Sequence, residues 1–375
     1  MSARPEALPA RAAERAAMPS LCLVGPLPPP AGGMANQCEQ LARLAAAEGA
    51  TVRVVRNNAD YRPAWVGRVP VLRAGFRLVP YLWALWRHAG RCDVMHVLAN
   101  SGWAWHLFAA PAIWIARLRG VPVIVNYRGG NAGHFLRGAP RHVLATLRRA
   151  DAIVTPSGFL RRVFASHGLD ACVVPNIIDL SRFSPRPVRA PGAAPHLIVT
   201  RNLEAIYDIA TAIRAFAELR QALPQARLTV AGTGPELQRL QALVAELGLD
   251  GQVRFSGRID NADIPALYAG ADVLLNPSTV DNMPISLLEA LASGVPIVST
   301  DVGGIPDMVT NDVDALLVPV GNAHRMAQRA IAVLNDPALA ARLAEAGRRT
   351  AAAYAWPAVR GQWFEIYRRL AGCTP

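Results

Sequence analysis

The stretch Asn276–Val309, NPSTVDNMPISLLEALASGVPIVSTDVGGIPDMV, decides how the rest of the chain is read. It carries two carboxylates eight residues apart, Asp281 and Glu289. Pro284 stands where a first helical turn begins, and Asn282 ahead of it is a common N-cap type. PISLLEALAS then reads as a helix closed by Gly294. Glu289 is the only charge in that helix, among Leu287, Leu288, Ala290 and Leu291. The helix is therefore expected to be buried on most sides. A buried carboxylate without a partner is costly, so something polar should meet Glu289. The helix N-terminus just after Asp281 offers unpaired amides and a positive dipole end, which suit an anion such as a phosphate. A β-branched run, Val295–Thr300, a Gly303-Gly304 turn and a new helix start at Pro306 complete an α/β layer. On residue types alone a second reading stays open, with Glu289 paired to a core arginine and Asp281 a solvated loop acid.

The same stretch resembles the carboxylate-x7-carboxylate signature of family 4 glycosyltransferases, whose fold is GT-B. The resemblance implies that Asp281 lies by the donor sugar and that Asn282, Met283, Pro284 and Ile285 face the diphosphate and sugar. It also implies that Glu289 binds the ribose hydroxyls. The first acid is usually Glu; here it is Asp. Val173–Phe183 (VVPNIIDLSRF) is similar to the family's N-x-x-D-x-x-x-F link between domains, at Asn176, Asp179 and Phe183. Arg201, after the strand His196–Thr200, matches an Arg that clamps the donor diphosphate together with a Lys five residues on. Ile206 occupies the Lys position. One cation in place of two weakens leaving-group stabilisation unless Arg128 or Arg258 supplies another. Glu204 is read as positioning Arg201.

Other candidates are spread along the chain. Gly32-Gly33 follows the first apolar strand, Leu21–Gly25, and lets backbone approach a ligand. Gly232 and Gly234 form a strand-to-helix turn expected to cradle phosphate. The loop at Gly257-Arg258 corresponds to the family's base-side loop. The strand Val121–Asn126 runs into YRGGNAGHF, where the family often has a His near the reacting sugar. This chain has Arg128 there, suited to a phosphate or an anionic acceptor. His96, in a strand similar to the family's D-x-x-H, and Asn131 are candidates on the acceptor side. Asp312-Val313-Asp314 spells a metal motif of a different fold but sits in a polar turn, and is read as chance; no metal or other cofactor is expected.

With 375 residues, 52% hydrophobic and 18% charged, the chain is globular and long enough for two domains. The boundaries read as a disordered tail over 1–18, a domain over 19–185, a Pro/Gly-rich linker over 186–195, a domain over 196–353, and a terminal helix over 354–375 that returns to the first domain. Five scattered cysteines form neither a disulfide framework nor a zinc site, so a reducing, cytoplasmic setting is expected. No secretory leader or membrane-spanning run is read.

Charge is uneven. Residues 1–190 hold 24 Arg against 9 acids and residues 191–375 hold 15 against 18, which gives +15 and −3. Residues 62–91 contain six arginines, no acid, and Trp65, Phe76, Tyr81, Trp83 and Trp86 between them. Basic residues with interfacial aromatics fit an anionic bilayer surface better than nucleic acid, for which no motif is present; an ordinary packed helix is the alternative. The reading is α/β, GT-B, two doubly wound Rossmann-like domains facing across a cleft. The expected activity is metal-independent transfer, with retention, of a sugar from a UDP- or GDP-sugar to a lipid-linked or glycan acceptor, in the cytoplasm, with peripheral contact at the inner membrane face as an option. A non-catalytic nucleotide-sugar binder, or an epimerase or phosphorylase of related fold, are the rivals.

Overall fold

A computed structural model describes residues 18–29, 32–59, 70–185 and 192–372, without the side chains of 70–74. Most of the 1–18 tail, most of the linker and residues 62–69 lie outside the described residues. The first half builds one parallel sheet from β1 (Leu21–Gly25), β2 (Val52–Arg56), β3 (Val94–Ala99), β4 (Val123–Tyr127), β5 (Ala152–Thr155) and β6 (Cys172–Val173), in the order β2-β1-β3-β4-β5-β6. The helices α1 (Gly33–Ala47), α2 (Pro70–Ala89), α3 (Ala110–Leu118), α4 (Ala132–Arg137), α5 (Arg141–Leu147) and α6 (Gly158–Ala165) connect the strands. β1, β3 and β4 are buried along their whole length, as a sheet covered on both faces requires, which is why they read as unbroken apolar runs.

The second half repeats the plan with β7 (His196–Thr200), β8 (Arg227–Ala231), β9 (Val253–Gly257), β10 (Val273–Asn276), β11 (Ile297–Thr300) and β12 (Leu316–Val318), ordered β12-β11-β10-β7-β8-β9. Its helices are α7 (Ile209–Ala222), α8 (Leu237–Glu246), α9 (Ile264–Ala269), α10 (Ile285–Ser293), α11 (Ala323–Asn335) and α12 (Pro337–Ala352). Strand order reverses at β1/β3 in the first sheet and at β7/β10 in the second. In open parallel sheets such reversals leave a crevice at the carboxyl ends of the strands.

The last helix, α13 (Trp356–Leu370), packs on the first domain. Val359, Trp363, Phe364 and Tyr367 join Leu21, Leu23, Leu41, Val94 and Ile124 in one buried cluster. Glu48 of the first domain accepts from Trp356 Nε1 at 3.0 Å and pairs with Arg360 at 2.9 Å.

Two local expectations change. α10 starts at Ile285 after an extended Pro284, and Asn282 is not its cap. The chain after Gly303-Gly304 makes a single 3₁₀ turn, Ile305–Asp307, and no helix. Both follow from close contact between the two loops. A β-carbon on Gly303, at φ +58°, would lie 1.9 Å from the Asp281 carbonyl oxygen, and the Gly304 amide donates to that oxygen at 3.1 Å.

Candidate active site

The two switch points face each other across a cleft of about 770 Å³. One wall carries Gly32, Gly33, Asn36, Asn100, Ser101 and Arg128–Asn131. The other carries Arg201, Ile206, Tyr207, Gly232, Arg258, Asp281–Ser286 and Glu289. The walls come close: a β-carbon on Gly33 would lie 3.8 Å from Ile285 Cγ1, and one on Gly130 would lie 3.7 Å from the Asn282 amide nitrogen. Asn282 Oδ1 accepts from Ser157 Oγ of the first domain, and Asn176 Nδ2 donates to the Met283 carbonyl at 2.7 Å.

Asp281 is no solvated loop acid. Its Oδ2 accepts from Arg201 Nη2 at 2.7 Å, with the two side chains 9% and 12% exposed, and its Oδ1 accepts from the Asn282 amide at 3.0 Å. The Arg201 guanidinium also stacks 4.0 Å from the centre of the Tyr207 ring, and its Nε is buried without a partner. Glu204, read from the sequence as the group that positions Arg201, instead accepts from Asn202. Asp281 and Tyr207 hold the arginine.

Glu289 meets a tyrosine. Tyr268 Oη lies 3.2 Å from Glu289 Oε2, 3.0 Å from the Ser286 carbonyl and 2.8 Å from Thr200 Oγ1. Burial pushes the Glu289 carboxyl up to about 7, partly offset by the Tyr268 hydroxyl and the Arg182 charge. α10 has no side-chain cap; the Leu287 amide turns back to the Pro284 carbonyl at 3.2 Å, and Ser286 ahead of it keeps a buried, unpartnered Oγ.

Several sequence candidates move. His96 is fully buried and absent from the cleft. Nδ1 lies 2.8 Å from Tyr367 Oη, Nε2 lies 3.0 Å from Asn126 Nδ2, and Trp363 covers the ring, so His96 fastens α13 to the sheet. Gly234 is not on the cleft wall. A β-carbon there would strike the Leu203 carbonyl at 2.3 Å, and one on Gly232 the Arg201 carbonyl at 2.1 Å. These glycines seat the Arg201 loop: the Gly232 amide donates to Gly257 and the Glu236 amide to Leu203, while Gly232 and Thr233 also line the cleft. Asn131 and Arg258 line the cleft. Asp312 pairs with Arg329, and Asp314 accepts from the Thr310 amide and Thr350, outside the cleft. Among the described residues no group of three His, Cys, Asp or Glu could hold a metal ion. Sequence reasoning missed Tyr207, Tyr268 and the Ser157–Asn282 contact; only the aromatic residue type marked the tyrosines.

The first-domain surface bears Phe76, Val79, Trp83 and Trp86 on α2, with Trp103 and Leu118, all exposed. Arg87 lies over Trp83 and Arg119 over Trp86, at 5.2 and 4.8 Å. Tyr81 and Leu85 turn inward. No helix among the described residues is long and apolar enough to cross a membrane.

Comparison with known proteins agrees with this geometry. The family model for glycosyl transferases group 1 matches residues 182–350, and that for glycosyltransferase family 4 matches residues 31–182. Over 273 residues the chain is 30% identical to the 2-deoxystreptamine glucosyltransferase of Streptomyces kanamyceticus, covering 66% of this chain and 70% of that one. It is 29% identical over 399 residues to a GDP-mannose-dependent alpha-(1-6)-phosphatidylinositol monomannoside mannosyltransferase of Mycolicibacterium smegmatis, covering 94% and 97%. A shorter match, 35% over 158 residues, is to WcaL of Escherichia coli (strain K12), named for colanic acid biosynthesis, and spans 40% of this chain and 39% of that protein. The Anabaena protein HepE in complex with UDP-glucose superposes with a TM-score of 0.73 at 19% identity, covering 93% of this chain and 99% of that one.

Proposed function

The chain belongs to the group 1 glycosyltransferases, with their GT-B fold, and we propose that it transfers a sugar from a nucleotide diphosphate donor to an acceptor with retention of anomeric configuration. The observation that carries this reading is the buried Arg201–Asp281 pair beside the uncapped start of α10. As the bond from the anomeric carbon to the diphosphate oxygen breaks, negative charge grows on the leaving group. Arg201 and the α10 amides are placed to hold that charge without reorganising. Asp281 supplies carboxylate density to the oxocarbenium-like sugar. The acceptor hydroxyl forms the new bond, and its proton passes to the departing diphosphate. Glu289, beside Tyr268, takes the ribose hydroxyls. No metal is needed for this division of labour.

HepE binds UDP-glucose and the mycobacterial relative is named as GDP-mannose-dependent, which supports a UDP- or GDP-sugar as the donor here. That relative acts on a phosphatidylinositol mannoside, which supports a lipid-linked acceptor here. The exposed Trp83, Trp86 and Trp103 with Arg87 and Arg119 support delivery of that acceptor from an anionic bilayer, since aromatic and cationic side chains together favour the interface.

A panel of UDP-, GDP- and ADP-sugars, read for binding by thermal shift and for nucleotide release with and without a membrane extract, tests the reading. Extract-dependent release lost in Asp281→Ala supports it. Binding without release under any condition moves the protein to a non-catalytic binder. Interconversion of donor without acceptor marks an epimerase, and a requirement for inorganic phosphate marks a phosphorylase.

A further inference from the structure

The cleft contains a cation that its own residues leave unanswered. Arg128 follows β4, its amide bonded to the Ala99 carbonyl at 3.0 Å, and its side chain lies at the β1/β3 switch point of the first domain. The guanidinium has no carboxylate or hydrogen-bond partner among the described residues, and Nε is buried. Its charge is felt by Cys38, His96 and Tyr367, none of them anionic at neutral pH, and burial, partly offset by Cys38 and Tyr367, pushes it down to about 10. Every cleft carboxylate is engaged elsewhere: Asp281 by Arg201, Glu289 by Tyr268, Glu204 by Asn202. A half-buried guanidinium without an anion is left partly desolvated and uncompensated, and its forked donors match a carboxylate or phosphate.

The diphosphate has another place. Arg201 acts on Tyr207, Tyr268 and Asp281, all in the second domain, whereas the groups that feel Arg128 are Cys38, His96 and Tyr367. Asn36, on the first turn of α1 on the same wall as Arg128, keeps a buried, unpartnered Oδ1 that suits a hydroxyl beside the anion.

We propose that Arg128 recognises a second anionic group of the substrate, a carboxylate or phosphate distinct from the donor diphosphate, carried by the transferred sugar or by the acceptor. The proposal rests on the transferase reading above. It makes this enzyme selective for charged substrates at a wall where a neutral residue would leave neutral sugars equally acceptable.

The test uses the full-length protein and its Arg128→Gln and Arg128→Lys variants. Affinities are measured for UDP, GDP, UDP-glucose, UDP-glucuronic acid, GDP-mannose and GDP-mannuronic acid, and transfer is measured with polyprenyl phosphate in vesicles as acceptor. If the anion is on the sugar, the uronic acid form binds roughly 10- to 100-fold tighter than its neutral parent, and Arg128→Gln erases the difference while Arg128→Lys keeps part of it. If it is on the acceptor, Arg128→Gln raises KM for the polyprenyl phosphate by a similar factor and leaves donor affinities in place. Equal loss of bare UDP and GDP affinity in Arg128→Gln would make Arg128 a diphosphate clamp and overturn the proposal, as would no change in any arm. If the wild-type protein binds no nucleotide, the transferase reading itself fails, a result separate from both.

Discussion

The Arg201–Asp281 pair makes a prediction that runs against the usual effect of removing an active-site acid. In the free protein Asp281 neutralises Arg201, the cation proposed for the diphosphate, at 2.7 Å and nearly out of solvent. A phosphate oxygen on the far side of the guanidinium would sit about 7 Å from the Asp281 carboxylate, where unit charges repel by about 2 kcal/mol at an effective dielectric near 20. Asp281→Asn removes that repulsion and retains an oxygen for the Asn282 amide. UDP or GDP should therefore bind about 30-fold tighter in the variant while sugar transfer collapses. The free variant should also lose about 3–5 kcal/mol of stability, because Arg201 is left uncompensated. Saturating nucleotide should restore much of it, so the ligand-induced rise in Tm is larger than in the wild type. Isothermal titration with the bare nucleotides and denaturation with and without them measure both effects. Weaker or unchanged nucleotide affinity with transfer intact would refute the assignment of Arg201 to the diphosphate and Asp281 to the sugar.

Glu289 predicts a pH dependence. With its carboxyl raised to about 7, the fold favours the protonated form, so its stability contribution is full below about 4.5 and is lost as pH rises through 7. Nucleotide binding should run the opposite way, tightening from pH 6 to 8 as the ionised form accepts both ribose hydroxyls, and Glu289→Gln should flatten that profile in titrations at several pH values. Gly303→Ala places a β-carbon 1.9 Å from the Asp281 carbonyl oxygen. It should cost about 3 kcal/mol in urea denaturation and weaken nucleotide binding, whereas wild-type values would show that the loop yields freely. Trp363→Ala empties a fully buried site between α13 and the first sheet and should cost about 3–5 kcal/mol; a loss below 1 kcal/mol would mean that α13 is peripheral to that core. Glutamates at Trp83 and Trp86 should abolish cosedimentation with phosphatidylglycerol vesicles and leave Tm unchanged, while retained binding would remove α2 from the membrane surface.

What could be read from the sequence follows the range of the interactions. The two sheets were legible because strands buried on both faces are unbroken apolar runs, and because β-strand, Gly-rich turn and helix recur with short spacing. Asp281 and Glu289 were legible because one loop and the first turns of one helix hold both. The partners were not. Arg201 reaches Asp281 across 80 residues, Tyr268 reaches Glu289 across 21, and Ser157 reaches Asn282 across 125 and across the domain boundary. Sequence order cannot register such contacts, since they depend on which switch point each loop leaves. His96 shows the same cause acting the other way. A strand histidine looks available for chemistry until α13, 271 residues on, brings Tyr367 to 2.8 Å and seals it. The glycines at 232 and 234 read as a ligand-facing turn and those at 303 and 304 as a plain turn, yet all four admit the protein's own backbone. Arg128 is the converse case: a departure from the family pattern became informative only once the structure showed that no group among the described residues answers its charge. A half-buried guanidinium without a partner at the cleft wall is the observation behind the proposal that binding supplies its anion, and on that proposal the specificity of the enzyme lies in the residue where it departs from its family.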